Sequence, residues 1–254
     1  MKRLLSYRLS NLQGQGARDY QEDSFAFANA LDVTLIKQRG LYAIVADGMG
    51  GMKDGRESSR LAVKTLLSDF EKMDREGDLS RQLDESARHA CREVNGLTEG
   101  MGGCTLAAGI FYKEHLHFIS VGDSYIWLLR NGELIRLNHE QNRKTEIYLE
   151  CIHNNDMDPR SGREHYEASA LTQFIGMDNI YETDVTRYPL PLHKKDTIVF
   201  CSDGVGGVLS EDEVISCLTG KTAETACLAM DGIIKKKNRR NQDNYTALVI
   251  QCDY

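Results

Sequence analysis

The order of patterned segments predicts an α+β fold with antiparallel sheet, in which two stacked sheets are flanked by pairs of helices. Three observations point there. Strand-like apolar runs come in groups and helical periods come in groups, rather than alternating as βαβ units do. Asn131-Gly132 lies between the runs IWLLR and ELIRL, a strong short-range hairpin signal, so part of the sheet is antiparallel. A chain of 254 residues is also long enough to bury a core without disulfides or a structural metal.

In chain order, the first strand-like run is Leu41–Ala46 (LYAIVA). Helical spacing follows from Ser58 to Met73, where Ala62, Leu66, Phe70 and Met73 share a face. It recurs from Leu79 to Leu97 through Leu79, Leu83, Ala87, Ala90 and Val94. Strands are expected at Thr105–Phe111 and Leu116–Val121, then across the hairpin, then at Thr197–Cys201. Ser210 with Glu213 forms a capping-box pattern that opens a short helix through Leu218. A last helix is expected from about Thr222 to Lys237, with Cys227, Met230, Ile233 and Ile234 on its apolar side. Tyr245–Ile250 (YTALVI) supplies a closing strand. Residues 138–172 are polar, charged and weakly periodic. Two readings fit them: a solvated excursion from a single domain spanning 1–254, or a mobile flap beside a binding cleft.

Composition narrows the function classes. Lys and Arg number 31 against 38 Asp and Glu, a net charge of −7, which disfavours nucleic acid and anionic lipid as partners. No apolar run approaches the roughly 18 residues that span a bilayer. The opening MKRLLSYRLS turns polar too soon for a secretory signal. None of the seven cysteines forms a Cys-x-x-Cys pair, and Cys201 and Cys227 lie in apolar runs. Buried free thiols in a reducing compartment are the plain reading, so a cytoplasmic location is expected. No Cys is followed six residues later by Arg, which removes the cysteine-nucleophile loop of thiol phosphatases.

Aspartates recur at strand ends. LYAIVA runs into Asp47-Gly48, FISVG into Asp123-Ser124, and TIVFCS into Asp203-Gly204, while Asp243-Asn244 precedes YTALVI. Any one of these is an ordinary turn. Four of them can converge, because strands in stacked sheets share rims. Converging carboxylates raise one another's pKa unless cations neutralise them. Oxygen ligands without His or Cys suit Mg²⁺ or Mn²⁺ rather than zinc. Gly48, Gly50 and Gly51 would let backbone approach a metal or a phosphate closely.

Six ordered motifs give these aspartates a context. They are Arg18 leading to Glu22-Asp23-Ser24, then Ala46-Asp47-Gly48-Met49-Gly50-Gly51, then Gly103-Cys104-Thr105. Val121-Gly122-Asp123-Ser124, Cys201-Ser202-Asp203-Gly204 and Asp243-Asn244-Tyr245-Thr246 complete the set. Over nearly its whole length the chain resembles the metal-dependent protein phosphatases of the protein phosphatase 2C family, in their bacterial stand-alone form. The resemblance implies a four-layer αββα sandwich that binds two or three Mn²⁺ or Mg²⁺ ions, two of them core ions. By that pattern Asp47 bridges the core ions, the Gly48 carbonyl completes one shell, and Asp203 and Asp243 hold the second ion. Asp123 matches the ligand of a third ion, which Asp203 shares. Glu22 and Asp23 match residues that orient waters on the ions, and Arg18 matches the phosphate-binding arginine. The implied reaction is direct attack of a metal-activated water on phosphoserine or phosphothreonine, without a phosphoenzyme. It further implies phosphoprotein substrates, an opposing Ser/Thr kinase and a monomer.

The chain departs from the family pattern at several places. Gln21 stands where Asn is usual, Met49 where some members carry His, and Tyr125 where Arg follows Gly-Asp-Ser. Met52-Lys53-Asp54-Gly55-Arg56 replaces a His-x-x-Gly-Glu segment. None of these removes an expected ligand, yet they keep a phosphoprotein-binding pseudophosphatase in play, as well as a hydrolase of small phosphoesters. His139 reads as a loop histidine or a catalytic one. Asp156 and Asp158 fit neither a calcium loop nor an aspartyl-phosphate motif. The basic run Lys235–Arg240 reads as favourable charge at a helix end, or as a steering patch for acidic substrates.

Overall fold

The structure is a computed structural model that describes residues 5–49, 54–155, 160 and 164–253. The first half comprises β1 (Ser6–Gly14), β2 (Ser24–Ala28), α1 (Val33–Arg39), β3 (Leu41–Ala46), α2 (Gly55–Lys72) and α3 (Leu79–Thr98). Then come β4 (Leu106–Tyr112), β5 (His115–Val121), β6 (Tyr125–Arg130), β7 (Glu133–Arg136) and α4 (Arg143–His153). The remainder holds β8 (Asp184–Val185), β9 (Leu190–Pro191), β10 (Thr197–Cys201), α5 (Asp203–Gly206), α6 (Glu211–Leu218), α7 (Ala223–Lys237) and β11 (Tyr245–Asp253). One antiparallel sheet runs β1-β11-β10-β6-β7 and the other β2-β3-β4-β5-β8, with β9 also on β5.

Strand alternation builds the four layers. Along the wholly buried β3, Leu41, Ala43 and Val45 point at the other sheet, while Tyr42, Ile44 and Ala46 point at helices. The inner core joins these residues to Phe111, Ile198, Phe200, Leu248 and Ile250. Phe111 and Phe200 meet edge-on across it at 6.2 Å. A Cβ on Gly109 would lie 2.6 Å from the Phe200 ring, so the glycine makes room for that ring. The outer cores pack α2 and α3 on one sheet and α6 and α7 on the other, as the helical spacing requires.

The expected strands and helices all appear, with Asn131 and Gly132 at positive φ in the turn between β6 and β7. Ser210 and Glu213 make the reciprocal capping box. Strands β1 and β2 carry no clear signal in the sequence. β1 is an edge strand with a mostly exposed, polar composition, and β2 is only five residues long. The polar segment after β7 is not simply solvated. Asn138, Gln141 and Asn142 are buried, and α4 begins where the Asn142 side chain accepts the Thr145 N–H. Asp156 and Asp158 lie outside the described residues.

The basic run closes α7. Lys235 bonds Asp231 at 2.7 Å and Lys237 bonds Glu213 at 2.5 Å, and Asn238 caps the helix in the left-handed region. His139 is exposed at the surface, with Nδ1 3.1 Å from Asp184.

Candidate metal centre

Sheet topology brings the strand-end aspartates together. Asp47 follows β3 directly, Asp203 opens α5 two residues after β10, and Asp243 lies two residues before β11. β10 and β11 are neighbours in one sheet, and β3 packs across from both in the other. Asp123 occupies the turn where the chain crosses from β5 in one sheet to β6 in the other.

Short hydroxyl and amide side chains lace these segments. Asp47 N–H donates to Thr105 Oγ1 at 3.2 Å, and that hydroxyl lies 2.7 Å from Ser124 Oγ beside Asp123. Ser202 Oγ donates to Asp23 Oδ2 at 2.9 Å and accepts the Thr246 N–H at 3.0 Å. Asn244 Oδ1 accepts the Glu22 N–H at 2.8 Å, and its amide donates to the carbonyls of Gln15 and Tyr20. A Cβ on Gly48 would sit 2.5 Å from the Gly55 carbonyl and 2.6 Å from that of Glu22, so only glycine fits there. Gly50 and Gly51 lie outside the described residues.

The carboxylates are crowded. Burial, reinforced by the charges of Asp23 and Asp203, pushes Asp47 well above the usual carboxylate range. Burial raises Asp23 to about 6, and burial with the Asp203 and Glu140 charges raises Asp123 to about 7. Asp203 is raised by burial and by Asp243, and Glu22 by burial. Asp23 is only 5% exposed, and its Oδ1 has no hydrogen-bond partner. At the exposed rim, Arg18 Nη2 donates to Asp243 Oδ2 at 2.6 Å.

Among the described residues, no three His, Cys, Asp or Glu side chains are closed around one point as a finished ligand set. An oxygen-only donor group raised by burial and by its own charge, with one buried oxygen left unpartnered, has the chemistry that hard divalent cations satisfy.

A family model described as "Protein phosphatase 2C" matches residues 20–229. The chain belongs to that family. The serine/threonine phosphatase stp of Listeria monocytogenes is 29% identical over 221 residues, covering 83% of this chain and 84% of that protein. The serine/threonine phosphatase of S. agalactiae superposes with a TM-score of 0.78 at 26% identity, covering 97% of this chain and 99% of that one. The catalytic domain of the phosphatase PstP, solved with two manganese ions, superposes with a TM-score of 0.77 at 21% identity. That pair covers 98% of this chain and 100% of the PstP chain.

Two departures from the protein phosphatase 2C pattern acquire a structural account. Gln21 Oε1 accepts the Asp23 N–H at 3.0 Å and its amide donates to the Gly14 carbonyl at 3.1 Å, so the longer amide still fixes the Asp23 turn. Tyr125 is covered by an arginine from β7. The Arg136 guanidinium stacks over the Tyr125 ring at 3.8 Å, donates to the carbonyls of Asp123 and Ser124, and pairs with Glu140. Met52 lies outside the described residues.

Three residues of the site were missed by sequence reasoning. Gln141 Oε1 accepts the Gly122 N–H at 2.8 Å, Asn138 Nδ2 donates to the Ser124 carbonyl at 2.8 Å, and Arg136 holds the carbonyls between. All three grip the Asp123 turn. Their only trace in the sequence is their position just after a hairpin, because a buried hydrogen-bonded amide reads like a solvated one.

Proposed function

We propose that the chain is a metal-dependent phosphoserine/phosphothreonine protein phosphatase. The observation that carries this reading is the crowding of Asp47, Asp203, Asp123 and Asp23 at the common rim of two sheets. Carboxylates buried side by side cost folding free energy, and a site for divalent cations is what such a cluster serves. Mn²⁺ or Mg²⁺ bound there would supply Lewis acidity and a water that ionises near neutral pH.

The chain's own residues then have distinct tasks. Asp47, the Gly48 carbonyl, Asp203 and Asp243 would hold the core ions, and Asp123 would serve a further one. Asp23, fixed by Ser202, and Glu22, fixed through its N–H by Asn244, orient water around the cluster. Arg18 binds the substrate phosphate. Its side chain is 46% exposed, so the guanidinium can turn from Asp243 to a phosphate without breaking a buried contact. Water attacks phosphorus directly, since no cysteine lies in a phosphate loop and all seven are free thiols, six of them buried. The same thiols support a cytoplasmic location. Phosphoproteins as substrates, an opposing Ser/Thr kinase and a monomeric enzyme complete the proposal.

A pseudophosphatase is the competing reading, and the intact Asp23 and Asp123 turns weigh against it. Turnover of phosphoserine, phosphothreonine and phosphotyrosine peptides with Mn²⁺, Mg²⁺ or chelator separates the two. Metal-dependent release of phosphate from the first two peptides is expected. Tight peptide binding without turnover under any metal would establish the binding module instead.

A further inference from the structure

A groove of about 590 Å³ runs beside the metal centre, between the start of β2 and the exposed face of α2. Gln21 and Asp23 form its inner end, Phe25 lies on its sheet wall, and Arg56, Arg60 and Lys64 line its helix wall. We infer that this groove binds an acidic, extended stretch of the phosphoprotein substrate next to the phosphorylated residue. The inference rests on the phosphatase reading and names its substrate class.

Three observations carry it. First, the three cations recur every fourth residue, so they form one stripe along α2. All are exposed. Arg60 makes a 3.3 Å contact with Glu57, and among the described residues no carboxylate pairs with Arg56 or Lys64. In a chain of net charge −7, unspent cations concentrated on one groove wall set up a local field of the opposite sign. Asp23 is the one carboxylate in the lining, and it is turned inward onto Ser202.

Second, the sheet wall is an edge. β2 is the terminal strand of its sheet, paired with β3 on one side, and no described strand pairs with the other. A strand edge offers main-chain donors and acceptors to an extended peptide. Third, the dimensions match. Arg56 to Lys64 spans about 12 Å at 1.5 Å per helical residue. An extended peptide covers that length with about four residues at roughly 3.3 Å each. The groove also starts at the metal centre, because Glu22 lies between Gln21 and Asp23 and its Oε1 faces Gly55 at the head of α2.

The test compares phosphothreonine peptides whose flanking residues are acidic, neutral or basic, using wild type, Arg56→Glu, Lys64→Glu and Arg56→Gln. Hydrolysis of a small aryl phosphate serves as the groove-independent control. Binding of unphosphorylated acidic and neutral peptides is followed by fluorescence anisotropy. Wild type is expected to favour the acidic flank by about tenfold in kcat/KM, through KM, with the preference vanishing at high salt. Each charge reversal is expected to remove that preference and the binding of the acidic peptide, leaving aryl phosphate turnover unchanged, with Arg56→Gln intermediate. Equal turnover of all three flanks by wild type, or equal losses on every substrate in the variants, would overturn the inference. Absence of all turnover alongside acid-selective binding that Arg56→Glu abolishes would refute the phosphatase reading and uphold the groove.

Discussion

Asp123→Asn should stabilise the metal-free protein, and more so at alkaline pH. Burial and the charges of Asp203 and Glu140 raise the Asp123 carboxyl from 3.8 to about 7. The folded state therefore binds this proton more tightly than the unfolded state does. The stability it contributes is fully present below about pH 4 and is lost as pH rises through 7. Ionising such a group in the folded chain at pH 8 costs roughly 4 kcal/mol, at about 1.4 kcal/mol per decade. Asp123 still reaches solvent in part, which brings the working figure to about 2 kcal/mol. Asparagine has the same shape and no charge. In excess chelator at pH 8, the variant should melt roughly 4–8 °C above wild type, taking about 2–4 °C per kcal/mol for a chain of this size. At pH 5 the gain should shrink to about 1 kcal/mol or less. Thermal melts by circular dichroism across pH 5–8 measure both. Equal melting temperatures at pH 8, or a gain of the same size at both ends, would refute the claim that this acid is strained by burial and like charge.

Other consequences follow from the lacing of the site. Ser202→Ala strips the donor from Asp23 and the acceptor from the Thr246 N–H, and should cost roughly 2–4 kcal/mol in urea unfolding while lowering metal-stimulated turnover. Gly204→Ala places a Cβ 1.8 Å from the Asn244 carbonyl oxygen and should destabilise by about 3 kcal/mol or more. Gly232→Ala, with nothing within 4 Å of its Cβ in α7, should instead stabilise by roughly 0.5–1 kcal/mol, so the pair isolates packing from propensity. Arg136→Ala frees the Asp123 carbonyl and leaves that of Ser124 to Asn138 alone, and should weaken Mn²⁺ binding at the weakest site in calorimetry. Arg136→Lys should recover little of this, because an ammonium lacks the planar group that stacks on Tyr125 while one nitrogen holds the turn carbonyls and the other holds Glu140.

The sequence was most informative where chemistry and periodicity coincide. The Ala62, Leu66, Phe70 face of α2 and the Leu79 to Val94 face of α3 were legible because each buries one side against a sheet. Asp47, Asp123, Asp203 and Asp243 stood out because each follows or precedes an apolar strand, and a strand end has a known place in a sandwich. β1 stayed hidden for the opposite reason. As an edge strand it pairs only with β11 and alternates polar residues outward, so it looks like a loop. Asn138 and Gln141 were hidden as well, since their burial depends on hydrogen bonds to Ser120, Ser124 and Gly122 in a turn formed elsewhere in the chain. Arg136 is the clearest case: its role depends on Tyr125 lying beneath it, a partner that only the β6–β7 pairing supplies.

Mn²⁺ titration of wild type and Asp47→Asn, with ion binding by calorimetry and phosphothreonine-peptide turnover read on the same samples, tests the central claim most directly. Wild-type turnover is expected to rise as at least two ions bind. Asp47→Asn is expected to keep its fold while its turnover stays at the chelator baseline. Full turnover by Asp47→Asn, or undiminished wild-type turnover in excess chelator, would contradict a catalytic centre built on these aspartates.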